Sequence, residues 1–141
     1  MIEGVIITKN KSFKSEGDKG DLCPEIFKGR GVNEFQVNLN TVGPGLVKGK
    51  HMHLKKEESF FCVKGRLWLY LEDAREGSPT QGKREKVSFN EDDRVTVLIP
   101  PGVWHSVENT GDATGYFLEY SNRFFDTSDE FKRPFTESDK L

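Results

Sequence analysis

Short runs of β-branched, aromatic and aliphatic residues recur along the chain, each bounded by Gly, Pro, Asp, Asn or Ser clusters. No apolar stripe long enough for three helical turns appears before residue 127. Strands are expected at residues 5–8, 25–28, 34–41, 47–53, 58–63, 66–72, 85–89, 94–99, 106–109 and 114–122. The stretch 34–41 alternates strictly, with Phe35, Val37 and Leu39 on one face and Gln36, Asn38 and Asn40 on the other. Many short strands in a small chain imply a β-sandwich or barrel, because each strand has one face to bury. The 141 residues are one domain's worth. We expect a single domain over 1–141, a core over about 25–126, and a polar tail over 127–141 that forms a short helix and then frays.

Composition excludes several classes. A net charge of −2 gives no general attraction to nucleic acid or anionic lipid. Nothing approaches the roughly 20 apolar residues of a membrane span. The N-terminal Met-Ile-Glu-Gly-Val-Ile-Ile does not read as a secretory signal. Two cysteines, Cys23 and Cys62, are too few for a disulfide framework and suit buried thiols in a reducing compartment. The expected location is cytoplasmic.

The dipeptide Lys64-Gly65 suggests a two-residue hairpin turn, since glycine supplies the positive φ such turns need. That hairpin would pair Val63 with Arg66, Phe61 with Trp68 and Ser59 with Tyr70. The other face would carry Glu58, Phe60, Cys62, Leu67, Leu69 and Leu71. If Glu58 points inward, so do these apolar residues. Phe61, Val63 and Trp68 then point out together, which predicts a homodimer across that face.

The chemistry is concentrated in three histidines. His51 and His53 lie two residues apart, so a strand projects both rings from the same face. Glu58 follows at the start of an apolar run, and His105 lies downstream in Ile-Pro-Pro-Gly-Val-Trp-His. Imidazole and carboxylate together suit a divalent ion: zinc first, with nickel, iron, manganese or copper compatible. We expect His51, His53, Glu58 and His105 to meet around one such ion. Strand parity favours Glu58 over Glu57 as the carboxylate, because it keeps the following apolar residues inside.

These residues carry a resemblance. Gly45, His51, His53, Glu58 and Gly65 match the cupin signature G-x5-H-x-H-x4-E-x6-G. Pro100, Gly102, His105 and Asn109 match the second signature, G-x5-P-x-G-x2-H-x3-N, whose opening Gly is replaced by Arg94. The resemblance covers about 45–122 and implies a cupin-type jelly-roll β-barrel. The stretch Asp73-Ala-Arg-Glu-Gly-Ser-Pro-Thr-Gln-Gly-Lys83 resembles the D-x-R-x-x-S-P-T-x-G-K of dTDP-4-dehydrorhamnose 3,5-epimerases. Val47-Lys-Gly-Lys-His51 is similar to that family's L-R-G-L-H, which implies a catalytic base at His51 and a substrate contact at Lys48. Asp18, Glu25, Gln36 and Asn38 fit its N-terminal pattern, with Gln36 and Asn38 as substrate contacts. The block Tyr120-Ser-Asn-Arg-Phe-Phe-Asp126 resembles the end of the metal-binding cupin half of capsular-polysaccharide epimerase-reductases.

The departures are informative. The epimerase's active-site lysine aligns with Glu58, its tyrosine acid with Glu119, and its phosphate-contacting arginine with Gly20. Parity places Glu119 on one face with Phe117 and Ser121, so it is the candidate proton-transfer group that is not a ligand. The resemblance implies a metal-dependent epimerase or isomerase of a nucleotide-linked keto-deoxysugar in surface-polysaccharide synthesis. The metal would act as a Lewis acid toward the keto oxygen. An Fe(II)-dependent dioxygenase and a non-catalytic sugar-binding cupin are the competing expectations.

Overall fold

The computed structural model describes residues 1–14, 21–30, 35–124 and 126–141. It is a sandwich of two antiparallel sheets, as the strand rhythm implies. The first sheet has the order β1-β9-β6-β11-β4: Ile6–Lys9, Val95–Ile99, Glu58–Lys64, Gly115–Ser121 and Gln36–Val42. The second has the order β12-β5-β10-β7-β8: Phe131–Arg133, Val47–Met52, Val103–Asn109, Leu67–Asp73 and Arg84–Ser88. A small ribbon of β2 (Phe13–Lys14) and β3 (Asp21–Leu22) stands apart. No helix among the described residues is long and apolar enough to cross a membrane. Asp18 and Gly20, singled out in the sequence, and the first position of the expected 34–41 strand lie outside the described residues.

The expected hairpin is not formed. β6 pairs with β9 and β11, whereas β7 pairs with β10 and β8 in the facing sheet. The turn at Lys64-Gly65 is a corner that carries the chain from one sheet to the other. Gly65 has φ +118° and a Cβ on it would lie 3.0 Å from the Gly115 Cα, so the corner admits little else. The Gly65 amide donates to Glu91 Oε2 at 2.7 Å. The predicted inward set survives, because alternation belongs to each strand whatever its partner. Phe60, Cys62, Leu67, Leu69 and Leu71 all enter the core between the sheets, with Phe89, Val97 and Phe117. The outward set does not survive as one face. Val63 is exposed on the first sheet, Trp68 belongs to the second, and Phe61 is buried.

Two further expectations change. Residues 25–28 form a turn, with Glu25 at φ 60° and the Lys28 amide donating to the Glu25 carbonyl at 2.9 Å. The tail is not frayed. It supplies β12 and two 3-10 turns, Thr127–Asp129 and Glu137–Asp139. Side chains from far upstream pin it: Lys50 Nζ donates to Asp139 Oδ1 at 2.8 Å and to Glu72 Oε2 at 2.6 Å. Phe135 packs on Tyr70 with ring centroids 5.3 Å apart, and the Arg133 guanidinium lies 4.3 Å from the Trp104 ring centre. The tail thus covers outer residues of the second sheet. Its local sequence is polar and Pro-interrupted, and its order comes from these long-range partners.

The Asp73–Lys83 stretch is structural. Asp73 is fully buried and accepts from Arg75, Ser78 and Thr80. Asn109 is likewise fully buried, donating to the carbonyls of Val42 and Ala113 at 2.9 and 2.8 Å.

Arg94 explains the broken signature. It holds φ 54°, the left-handed conformation that favours the glycine it replaces. Arg94→Gly should therefore stabilise the protein by about 1 kcal/mol, since relief of such strain is worth roughly that. Thermal melting should show a rise of about 2–4 °C; an unchanged or lower midpoint would contradict the strain argument.

The tail anchor predicts an acid response. The Lys50 hydrogen bond is the main cause holding the Asp139 carboxyl down at about 2, against burial that opposes it. A carboxyl depressed in the folded state contributes stability above its ordinary value of 3.8, and that contribution is lost as pH falls toward about 2. Amide exchange in residues 131–141 should accelerate over that window ahead of the core strands, and Asp139→Asn should show the fast exchange already at pH 6.

Candidate active site

Between the sheets, at the end where β5, β6, β10 and β11 supply polar residues, lies a cavity of about 190 Å³. Its position follows from two strands that break the apolar pattern at one end. Glu58 opens β6 ahead of its buried apolar run, and His105 sits in β10, which starts earlier than the sequence suggested, at Val103. His53 follows directly after β5, whose register opposes His105 to His51.

His53, Glu58 and His105 come together: each offers a ligand atom, and these atoms lie within 4.8 Å of one another. All three are buried. Glu58, not Glu57, is the carboxylate in this group, as parity requires. His51 lines the same cavity but stands outside the group, with its Nδ1 4.0 Å from Glu130 Oε1. The four predicted ligands are therefore a cluster of three plus a neighbour on the wall.

The donors in the cluster are prepared for a cation. His53 Nδ1 faces the Asp129 carbonyl at 2.8 Å, and His105 Nδ1 faces the Val103 carbonyl at 3.1 Å. A carbonyl only accepts, so each imidazole keeps its proton on Nδ1 and turns Nε2 inward. Both Nε2 atoms approach Glu58 Oε1, at 3.0 and 3.1 Å. That oxygen is buried and still lacks a properly directed hydrogen bond. Two imidazole nitrogens and an orphaned carboxylate oxygen pointing at one spot fit zinc or a similar ion.

Charge in the site is shared between two carboxyls. Burial opposes ionisation of Glu58, but His105 and contacts from Glu119 and His53 hold it well below the usual carboxylate range. Glu119 is pushed the other way, to about 8, by burial and by Glu58. Of the pair, Glu58 carries the charge and Glu119 the proton. The Glu119 carboxyl is also held by Asn40, whose amide donates to Oε2 at 3.2 Å. Burial, then repulsion from His105, lowers the pKa of His51, so its ring is neutral near pH 7.

Lys48 and Asn38 line the cavity as the sequence suggested, with Lys48 exposed and donating to Asn40 Oδ1 at 2.9 Å. Gln36 stands one step back and donates to Asn38 Oδ1 at 2.9 Å. The alternation over 35–40 holds, and its polar face looks into the cavity, while Phe35, Val37 and Leu39 are exposed. Three residues of the site were not recognised from sequence. Asn40 shares strand parity with Asn38, so a signal existed. Asp129 and Glu130 lie in the tail and had none, because their partners are more than seventy residues away. Asp129 also caps the loop after β5, its two carboxylate oxygens accepting from the Leu54 and Lys55 amides.

Residues 16–131 match the polysaccharide biosynthesis C-terminal domain family. The chain belongs to that family. It is 29% identical over 118 residues to the probable low-salt glycan biosynthesis epimerase Agl13 of Haloferax volcanii, covering 83% of this chain and 69% of that protein. It is 28% identical over 138 residues to the spore coat polysaccharide biosynthesis protein SpsL of Bacillus subtilis, covering 95% and 90%. The crystal structure of dTDP-4-dehydrorhamnose 3,5-epimerase from Sulfolobus tokodaii superposes with a TM-score of 0.80 at 27% identity, covering 99% of this chain and 81% of that one. The fold is therefore the jelly-roll cupin of the rhamnose-type epimerases, as the signatures implied.

Zinc titration of the purified protein separates the roles of the histidines. Glu58→Ala and His53→Ala should each lose more affinity than the roughly 10–100-fold that an outer-shell change costs. His51→Ala should stay within about tenfold of wild type. Full zinc content in Glu58→Ala would overturn the assignment.

Proposed function

We propose that this protein is a sugar-nucleotide epimerase of polysaccharide biosynthesis, acting on a keto-deoxysugar and holding one divalent ion at His53, Glu58 and His105. The observation that carries the reading is an imidazole and a carboxyl that reach one small cavity from different sheets. His51 comes from β5 in the second sheet and Glu119 from β11 in the first. Epimerisation requires a proton to leave one face of a carbon and another to arrive on the opposite face. The epimerases among its relatives support the same chemistry.

An ion at this site would supply Lewis-acid polarisation of the keto oxygen. The chain's own residues do the rest. His51 Nε2 accepts the proton from the carbon beside the carbonyl, and Glu130, on the Nδ1 side of the ring, faces the positive charge that results. Glu119 returns its carboxyl proton from the other side, held in place by Asn40. Phe60 and Phe117 form apolar wall and keep bulk water from the reacting carbon. Lys48 and Asn38 hold the substrate's polar groups toward the diphosphate. The homodimer belongs to this proposal too, on a different surface. β4 has a hydrogen-bonded neighbour on one side alone among the described residues, and its outer row of Phe35, Val37 and Leu39 is exposed. A second copy offers the same edge and the same apolar row.

The zinc-loaded protein, incubated with nucleotide 4-keto-deoxysugars in D2O, should incorporate deuterium at carbon 3 or 5 without oxygen. His51→Ala and Glu119→Gln should each slow this by about 10²–10⁴-fold, and the wild type should sediment as a dimer at micromolar concentration. Iron-dependent oxygen uptake without exchange would replace the epimerase by a dioxygenase.

A further inference from the structure

Gly102 joins the backbones that carry two of the three clustered side chains. Its amide donates to the His53 carbonyl at 2.7 Å, and His105 follows shortly after it in β10. The turn at Pro101 and Gly102 therefore sets how far apart the two imidazoles stand. Their ring centroids are 5.5 Å apart, and their Nε2 atoms lie 3.0 and 3.1 Å from Glu58 Oε1. Connecting segments are ordinarily the mobile parts of a fold. This one is buried at Gly102, against a side chain that belongs to neither the cavity nor the cluster.

That side chain is Arg75. Gly102 holds φ +85°, and a Cβ built on it would lie 2.5 Å from Arg75 Cγ and 3.0 Å from Cδ. Only glycine lets the turn come this close, so the aliphatic stem of Arg75 rests directly on it. The guanidinium fixes the stem in place. Nε and Nη2 form a fork onto the two oxygens of Asp73, at 2.8 and 2.9 Å, and Nη2 also donates to the Glu3 carbonyl at 2.6 Å. Asp73 is fully buried and accepts as well from Ser78 and Thr80. Register puts this anchor beside the turn, because Asp73 at the end of β7 pairs with Val103 at the start of β10. Val103 in turn offers its carbonyl to His105 Nδ1 at 3.1 Å. Contacts thus run without a break from buried Asp73 through Arg75 to Gly102, and from there to the backbone of both histidines.

We propose, on the reading of His53, Glu58 and His105 as an ion site, that Arg75 is a positioning residue for that site. It does not line the cavity and acts through Gly102, holding the turn so that the two Nε2 atoms converge. A functional constellation has to be kept within about 0.5 Å of its working geometry. Losing an outer partner of a metal ligand typically costs about 10–100-fold in affinity. The Asp73–Lys83 stretch then serves the site as well as its own loop. A merely structural Arg75 would change melting and leave the geometry of a bound ion as it was.

The test uses the full-length protein as wild type, Arg75→Ala, Arg75→Lys and Ser78→Ala. The readouts are zinc affinity, the visible spectrum of bound cobalt(II) and the melting midpoint. Arg75→Ala should bind zinc about 10–100-fold more weakly than wild type, with an altered cobalt(II) spectrum. Arg75→Lys keeps the stem on Gly102 and should recover at least threefold of that loss. Ser78→Ala removes a different hydrogen bond to Asp73, so it should melt lower yet keep zinc affinity within threefold and the wild-type cobalt(II) spectrum. Zinc affinity of Arg75→Ala within threefold of wild type, with an unchanged spectrum, overturns the proposal. Equal losses of affinity in Arg75→Ala and Ser78→Ala also overturn it, because the motif would then be structural only. One measurement needs no variant to fold. Coupling between ion and turn is reciprocal, so zinc should slow amide exchange at Gly102 at least tenfold more than in β8 of the wild type. Exchange at Gly102 that zinc leaves unchanged overturns the proposal while the ion site stands. A wild type that binds neither zinc nor cobalt(II) overturns the ion-site reading itself, and the role of Arg75 with it.

Discussion

A single buried carboxylate governs the polar end of this sandwich. Glu58 begins a strand whose next four residues are buried, so its side chain has to enter the space between the sheets. Desolvation of a charge there is costly unless opposite charge and hydrogen-bond donors surround it. The neighbouring elements supply them. His53 and His105 bring imidazoles to one oxygen, Lys56 stands on the side of the other, and Glu119 keeps its proton so that two negative charges do not meet. The two carboxyls are thus parts of one electrostatic arrangement.

The tail contributes more to that arrangement than its composition suggests. Asp129 fixes the tautomer of His53 through its carbonyl and the loop after β5 through its carboxylate. Glu130 lies beside His51, and β12 pairs with β5 opposite Met52, His51 and Lys50. Anchoring by Lys50 and packing of Phe135 on Tyr70 hold these groups in place. The tail is thus part of the wall of the site.

Much of this was legible in the chain. The signatures located the three clustered side chains, His53, Glu58 and His105, and strand parity chose Glu58 over Glu57 and turned Glu119 inward. Parity also contained Asn40, which lies in phase with Asn38. What parity does not contain is partnership. β6 and β7 alternate as a hairpin would, yet they stand in different sheets, and the face built from Phe61, Val63 and Trp68 dissolved with that pairing. Similarly, alternation over 35–40 does not say which face of β4 looks inward, and the cavity lined by Asn38 and Asn40 decides it.

The sequence by itself determined most of the strands, their alternation and the residue types gathered in the site, because these depend on side-chain period and residue type within a few positions. Tertiary structure alone decided which strands are neighbours, that His51 stands beside the His53, Glu58 and His105 cluster rather than in it, and that the tail completes the site. Those outcomes depend on contacts between residues tens of positions apart, where local alternation is the same for every possible partner.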